Sequence, residues 1–470
     1  MVKRDLVVIG NGMVGHRFLE AMLESEGRDA WNIVTFCEES RLAYDRVNLT
    51  SFFSGKTAAD LSLADPALYE EAGVTVLVGD RAIAIDRERK LVTSANGAAV
   101  HYDKLVLATG SSPLVPEIPG RDAEGCFVYR TIEDLERIRA WAATARSGVV
   151  IGGGLLGLEA ANALNQMGLE THVVEFAPRL MSMQVDEDGG RILRTRIEAL
   201  GVSVHTGKNT SAIVSTGGKV SEIRFADGGM LDADMVVFSA GIRARDELAR
   251  ACGLAIGERG GITIDDRCRT SDPDILAIGE CAHYRSRTYG LVGPGYQMAR
   301  TAAAVLQGGG EKLGFFDMST KLKLMGVDVA SFGDAHATRP GSRTLAFTDS
   351  AEGIYKKLVV SADRQRLLGG VLVGDASAYA HLLQLTQNQV ALPPHPEQLI
   401  VPQPSGARPV ALGVAALPEA ATICTCHNVA KGSICRAICE EELSSVGAIK
   451  AATRAGTGCG SCTPLLGELL

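Results

Sequence analysis

Short apolar runs alternate with amphipathic stretches along most of the chain. "DLVVIG", near the start, is too short for a helix and ends in glycine, the pattern of a strand buried on both faces. A helical period follows in Val14, Phe18 and Met22, and then a second apolar run, "NIVTFC". The succession returns at "GVVIGG", with the helix-like "LLGLEAANAL" and the run "THVVEF" behind it. "YDKLVLATG" and "DMVVFSAG" are near copies of each other, and "TSDPDILAIGECA" holds one more strand. Strand–helix–strand units of this kind predict a parallel sheet flanked by helices, built twice. Past residue 316 the pattern changes: "STKLKLMGVDVASFGDAH" and "YKKLVVSADRQRLLGGVLVGD" alternate as antiparallel strands do. Residues 391–423 hold seven prolines and predict a semi-rigid linker. Beyond it, "KGSICRAICEEE" and "SVGAIKAATRAG" are amphipathic at helical spacing, with Ile434, Ile438, Val446 and Ile449 placed to pack a helical hairpin.

Composition narrows the function classes. A chain of 470 residues with 46% hydrophobic and 22% charged residues has room for two or three globular domains. Net charge is -8 with both signs mixed, no basic stripe is present and aromatics are 5%, which argues against a nucleic-acid partner. No apolar run approaches the roughly 18–20 residues that a membrane span needs. Asp5 and the glycine pattern argue against reading the N-terminus as a signal peptide, so the expected location is cytoplasmic. Cys37, Cys126, Cys252, Cys268 and Cys281 are scattered singly, as free thiols are in a reducing compartment. No Ser/His/Asp arrangement or His-Glu-x-x-His pattern suggests hydrolysis.

Candidate chemistry enters with the glycines that end the runs. The first is followed by Gly10-x-Gly12-x-x-Gly15. Gly10 suits a tight turn, Gly12 lets the backbone approach a pyrophosphate, and Gly15 lets the helix opening at Met13 pack on the strand with its N-terminus toward the phosphates. The next strand runs into Glu38, 28 residues after Gly10, where a carboxylate can accept both ribose hydroxyls of an adenosine. The fingerprint repeats as Gly152-x-Gly154-x-x-Gly157, with Leu155 and Leu156 opening the helix and Glu175 ending the following strand. Two fingerprints 142 residues apart imply two dinucleotides, for which the usual pairing is FAD with a nicotinamide nucleotide. Glu175 favours NADH, because its charge repels a 2′-phosphate, while the nearby Arg179 weighs the other way. Glu159 is a candidate for the nicotinamide end or a helix surface charge.

These segments resemble the two-dinucleotide-binding flavoproteins of glutathione-reductase-like fold. The resemblance implies that the first loop and Glu38 hold the adenosine half of FAD. It implies that the turn Ala108-Thr109-Gly110 closes over the flavin nucleotide, with Gly241 ending the matching turn on the NADH side. It puts Glu280, after Gly279, on a ribityl hydroxyl where most members carry Asp, and places Arg46 and Arg130 near the flavin or its pyrophosphate. The lysine that many relatives carry near flavin N5 is missing from "LTSFF". The redox thiols of the disulfide reductases and of the single-cysteine peroxidases are missing as well; Cys37 and Cys281 are expected to be small buried residues. Electrons then have to leave the flavin for another centre.

Six of the 11 cysteines fall in the last 47 residues. Cys424-x-Cys426, a gap of 32 residues and Cys459-x-x-Cys462 suit zinc or an iron–sulfur cluster. "CTCHNVAKG" and "AGTGCGSCTP" resemble the bacterioferritin-associated-ferredoxin type of 2Fe–2S domain, which implies Cys424, Cys426, Cys459 and Cys462 as cluster ligands. Cys435 and Cys439, one helical turn apart, are expected in its core. With "AYDRVNLTSFF", "VVEFAPRLM", "AIGECA" and "YGLVGPGYQMA", nearly the whole chain is similar to the N-terminal region of NADH nitrite reductase large subunits. It is equally similar to electron-transfer subunits of bacterial assimilatory nitrate reductases.

The expected fold class is therefore α/β: two Rossmann-like domains, a small α+β domain and a helical 2Fe–2S domain. Expected boundaries are 1–115 and 240–315 for FAD, 116–239 for NADH, 316–392 for the small interface domain, 393–418 for the linker and 419–470 for the 2Fe–2S domain. The nitrite reductase large subunits continue into a sirohaem and 4Fe–4S module, whereas this sequence ends after the 2Fe–2S segment. The resemblance thus implies a relay from NADH through FAD and 2Fe–2S to a separate catalytic protein, a molybdenum assimilatory nitrate reductase. Alternatives are a reductase of a free carrier such as rubredoxin or ferredoxin, the diaphorase part of an NADH nitrite reductase, and a docking or redox-sensing role for the C-terminal domain. NADH yields its electrons as a pair and a 2Fe–2S centre takes one at a time, so the flavin has to divide them.

Overall fold

Leu6, Val7 and Val8 of β1 (Arg4–Ile9) are fully buried because the strand is flanked on both edges. β2 (Trp31–Cys37) pairs with it in parallel on one side and β3 (Lys104–Leu107) on the other. Thr75–Val78 lies beyond β2 and Ile275–Ala277 beyond β3. α1 (Met13–Leu23) turns Phe18, Leu19 and Met22 inward and packs along the helix Val292–Leu306. These elements belong to one compact unit, Met1–Pro113 with Arg130–Ile132 and Ile242–Phe316. The computed structural model describes residues 3–402, 414, 417–424, 427–457 and 460–470.

The second unit comprises Leu114–Tyr129, Glu133–Gly241 and Asp317–Leu470. It repeats the scheme with β4 (Ser147–Ile151), α2 (Leu155–Gln166), β5 (Glu170–Glu175), α3 (Glu187–Ala199) and β6 (Val202–Thr206), the three strands pairing in parallel. Ile213, Val220, Ile223 and Phe225 of an antiparallel meander pack against Val149, Ile151 and Val174 of that sheet. In the same unit lies the antiparallel sheet that the alternation predicts. Its order is Thr320–Leu324, Val327–Gly333, Leu367–Gly374, β7 (Ile354–Val360), Arg343–Asp349. α4 (Tyr379–Gln387) buries Tyr379, Leu382 and Leu385 against it.

The expected linker is corrected at its start. Pro396–Leu399 forms a 3-10 turn, Arg364 pairs with Glu397, and Ile400 is buried in the core of the sheet domain. The apolar side chains among the prolines gain more from burial than the prolines lose by lacking amide donors. Residues 403–413, 415 and 416 of that stretch lie outside the described ones.

Near the C-terminus, α5 (Lys431–Glu440) and α6 (Val446–Thr453) form the expected hairpin. Ile434 and Ile449 are fully buried, and Ile438 and Val446 pack against the same core. Ser445 caps α6 by accepting from Ala448 N at 3.2 Å. Cys439, expected in the core, is instead exposed, and Cys435 is half-buried. The inward stripe of α5 belongs to Ile434 and Ile438, which leaves Cys439 on the outer face. Replacing Leu107, fully buried at the end of β3, by alanine is expected to lower stability by about 2–5 kcal/mol. Urea unfolding of the two proteins checks this, and an unchanged midpoint would contradict the packing described.

Candidate nucleotide and iron–sulfur sites

The two glycine loops obey the same steric rule. Gly10 has φ +112°, and a Cβ there would lie 2.3 Å from the carbonyl oxygen of Ala108; Gly152 has φ +121°, and its Cβ would lie 2.2 Å from that of Ser239. A Cβ at Gly15 would come within 2.0 Å of Gly10 O, and one at Gly157 within 1.9 Å of Gly152 O. Helix and turn therefore touch backbone to backbone. The middle glycines behave oppositely: a Cβ at Gly12 or Gly154 would meet nothing within 4 Å. Gly12 and Gly154 are also the N-caps of α1 and α2, and neither helix has a side-chain cap. Each loop thus presents first-turn amides, at the positive end of a helix, to open space, which fits a pyrophosphate.

The first loop rests on a polar network that sequence reading missed. Asn11 accepts from Ala43 N at 3.1 Å and donates to Tyr69 Oη at 3.2 Å, and Tyr69 Oη lies 2.6 Å from His16 Nδ1. All three side chains are buried, and burial pushes the Tyr69 phenol up to about 12. Glu38 follows β2 and is exposed, with Arg245 Nη2 at 2.5 Å and Arg81 Nε at 3.7 Å. Arg245 is in turn fixed through its backbone, accepting from Thr109 Oγ1 at 2.6 Å and donating to Gly110 O at 3.0 Å.

The structure brings together four residues that the sequence placed near the flavin. Arg130 donates to Glu280 Oε2 at 2.7 Å, Gly110 lies beside the Arg130 guanidinium, and Arg46 donates to the Arg130 carbonyl at 2.9 Å. Two further members were not foreseen: Ser111 donates to Glu280 at 2.7 Å, and Glu39 forms an ion pair with Arg46. Gly279, φ +81°, is packed against Val14 of α1, and Ala108 and Met13 are half-buried.

At the second loop, both oxygens of Glu175 are held by backbone amides, Gly153 N at 2.6 Å and Ala177 N at 2.7 Å. The Arg179 guanidinium is committed to the carbonyls of Val185 at 3.0 Å and Ser182 at 3.4 Å. Leu155, Leu156 and Glu159 are half-buried on α2, and Gly241 is exposed with φ +115°.

Cys37 and Cys281 are buried single thiols, as expected. Burial and the nearby Glu39 push the Cys37 thiol up to about 11. Burial raises Cys281 too, and its Sγ donates to the carbonyls of Leu107 and Ile278. Neither suits a thiolate nucleophile. Toward the C-terminus, Cys424 and Cys462 are buried in one apolar core with Ile434, Ile449 and Ala455. Gly460, φ +74°, has open space where a Cβ would stand, room for backbone to approach a sulfide. Two buried sulfurs in one core fit the iron–sulfur donor set; Cys426 and Cys459 lie outside the described residues.

Residues 4–308 match the family model of the pyridine nucleotide-disulphide oxidoreductases. Residues 319–390 match the rubredoxin NAD+ reductase C-terminal domain and residues 422–470 the BFD-like 2Fe–2S binding domain. The chain is 56% identical over 470 residues to the large subunit of an NAD(P)H nitrite reductase from Klebsiella oxytoca, covering all of this chain and 49% of that protein. It is 35% identical over 472 residues to an assimilatory nitrate reductase electron transfer subunit from Bacillus subtilis, covering all of this chain and 60% of that protein. Among solved structures, a ferredoxin reductase from Rhodopseudomonas palustris superposes with a TM-score of 0.75 at 26% identity, over 84% of this chain and 97% of that one. The chain spans about half the length of the curated relatives it matches.

The chain belongs to the pyridine nucleotide-disulphide oxidoreductase family. It is an oxidoreductase with an FAD- and NAD-binding core and a 2Fe–2S binding domain. Gly15→Ala is expected to yield protein without flavin absorbance, whereas Gly157→Ala keeps the flavin and loses its reduction by NADH. Spectra before and after NADH addition separate the two, and a yellow, NADH-reducible Gly15→Ala protein would contradict the first assignment.

Proposed function

We propose that the protein is a relay that takes electron pairs from NADH and passes single electrons to a nitrogen-oxyanion reductase centre. The observation that carries this reading is the presence, in one chain, of two glycine loops open to pyrophosphates and a cysteine core suited to iron, with no activated thiol among Cys37 and Cys281. Bound FAD would supply the step between two-electron and one-electron chemistry. The chain's own residues bind and orient. The first loop and Glu38 take the FAD adenosine half, while Arg46, Arg130 and Glu280, with Ala108, Thr109 and Gly110, line the flavin side. The second loop, Glu159 and Gly241 position the nicotinamide nucleotide. Glu175 accepts its ribose hydroxyls and disfavours a 2′-phosphate, and Arg179, engaged elsewhere, does not offset it. Cys424, Cys426, Cys459 and Cys462 hold the cluster. NADH is a cytoplasmic currency, and the reading places the chain there.

For the acceptor we favour a catalytic nitrate reductase subunit, a molybdenum protein. The higher identity to the nitrite reductase large subunit, 56% against 35%, favours a second reading in which this region is the NADH-oxidising part of a nitrite-reducing protein. Nitrate- and nitrite-dependent NADH oxidation with the co-purified acceptor distinguish them. Cys424→Ser is expected to abolish transfer to that acceptor while NADH-dependent dye reduction stays within about twofold, since only the exit centre is lost. Equal transfer by the variant would exclude the relay. Cys37→Ala is expected to keep both activities; loss of dye reduction would show a thiol step that this reading lacks.

A further inference from the structure

One ion pair in the second unit, a buried lysine with a half-buried aspartate, serves neither nucleotide loop directly. Asp186 caps α3 by accepting from Gly189 N at 3.1 Å. Its other oxygen accepts from Tyr355 Oη at 2.8 Å and from Lys357 Nζ. Both partners lie on β7 of the antiparallel sheet, and Lys357 is only 7% exposed. Burial alone would raise the Asp186 carboxyl, but the bonds from Lys357, Tyr355 and Gly189 outweigh it and hold the group below the ordinary carboxylate value. The sheet domain grips the neighbouring chain twice more. His336 Nε2 donates to Met183 O at 2.9 Å, and Arg196 Nη1 donates to Glu352 O at 3.3 Å.

The gripped segment, residues 176–186, leads back to the second glycine loop. Met181 N donates to Gly153 O at 2.9 Å, beside the Glu175 carboxylate on Gly153 N. Leu180 is fully buried and fills the space over Gly153, where a Cβ would lie 2.6 Å from Leu180 Cδ2. Met181 holds φ +46°, a conformation that a non-glycine residue keeps only where its surroundings fix it. The segment is a short strut, with one end on the nucleotide loop and the other on the sheet domain.

We propose that Asp186 is a positioning residue for the nicotinamide nucleotide: paired with Lys357 and Tyr355, and helped by His336, it braces residues 176–186 on the sheet domain so that Glu175 stays aimed at the adenosine ribose. The proposal rests on the reading of Glu175 as the ribose acceptor. It assigns the sheet domain a part in nucleotide affinity, with no part in the electron-transfer step itself.

The test uses the full-length, FAD-loaded protein. Asp186→Asn, Lys357→Met and His336→Ala are compared by isothermal titration with NAD+ and by NADH–ferricyanide kinetics. Expected are rises of about tenfold in Kd and KM for the first two and of about twofold to threefold for His336→Ala, with kcat at saturating NADH unchanged. The double variant Asp186→Asn/Lys357→Met is expected to be no worse than its weaker-binding parent, because both changes break one contact. Unchanged Kd in all variants alongside a lowered melting temperature would overturn the proposal, leaving the contact as structural support only. His336→Ala removes an exposed contact, so it keeps the test open if the buried variants fold poorly. Glu175→Ala tells the two ideas apart: unchanged nucleotide affinity there overturns the ribose assignment itself, whereas weakened affinity there with normal affinity in the Asp186 variants overturns only the brace.

Discussion

The contact on which the structure depends is that of the third glycine of each loop with the carbonyl of the first. At about 2 Å from a would-be Cβ, it admits no side chain. That closeness seats α1 on β1 and α2 on β4 with their uncapped first turns aimed at open space. Phosphate charge can then be met by backbone amides and helix ends, with no buried lysine or arginine required. Because the following strand lies next to the first in a parallel sheet, its end delivers a carboxylate, Glu38 or Glu175, beside each loop. The same geometry built twice gives one chain two dinucleotide sites.

The charges around the first site are arranged as alternating partners. Glu39 holds Arg46, Arg46 holds the backbone of Arg130, and Arg130 with Ser111 holds Glu280. Each of the four charged groups is half-buried, where an unpaired ion would be costly and a paired one keeps a fixed direction. Burial raises the Cys37 and Cys281 thiols near this site, which disfavours a thiolate nucleophile there. In the proposed relay, entry and exit of electrons then fall to different residues.

The glycine loops, the parallel strands, the antiparallel sheet and the C-terminal hairpin were legible because each depends on local requirements: spacing, period and the absence of a side chain. What was not legible depends on partners distant in sequence. Arg130 meets Glu280 across 150 positions, Asn11 meets Tyr69 across 58, and Asp186 meets Lys357 across 171. No local pattern marks those pairs, and Ser111 and Tyr69 look like ordinary strand and helix residues. Where local reading misled, burial was the reason. Proline content suggested a semi-rigid linker, yet Ile400 is buried in the core of the sheet domain. The resemblance to the 2Fe–2S domain suggested a buried Cys439, yet Ile434 and Ile438 fill the inward stripe and leave it exposed.

The most direct test of a relay is its order in time. The FAD- and cluster-loaded protein, mixed without air with NADH in a stopped-flow instrument, should show cluster reduction at least as fast as steady-state turnover with the physiological acceptor. Cluster reduction slower than that turnover would contradict the account, because electrons would then be reaching the acceptor by another route.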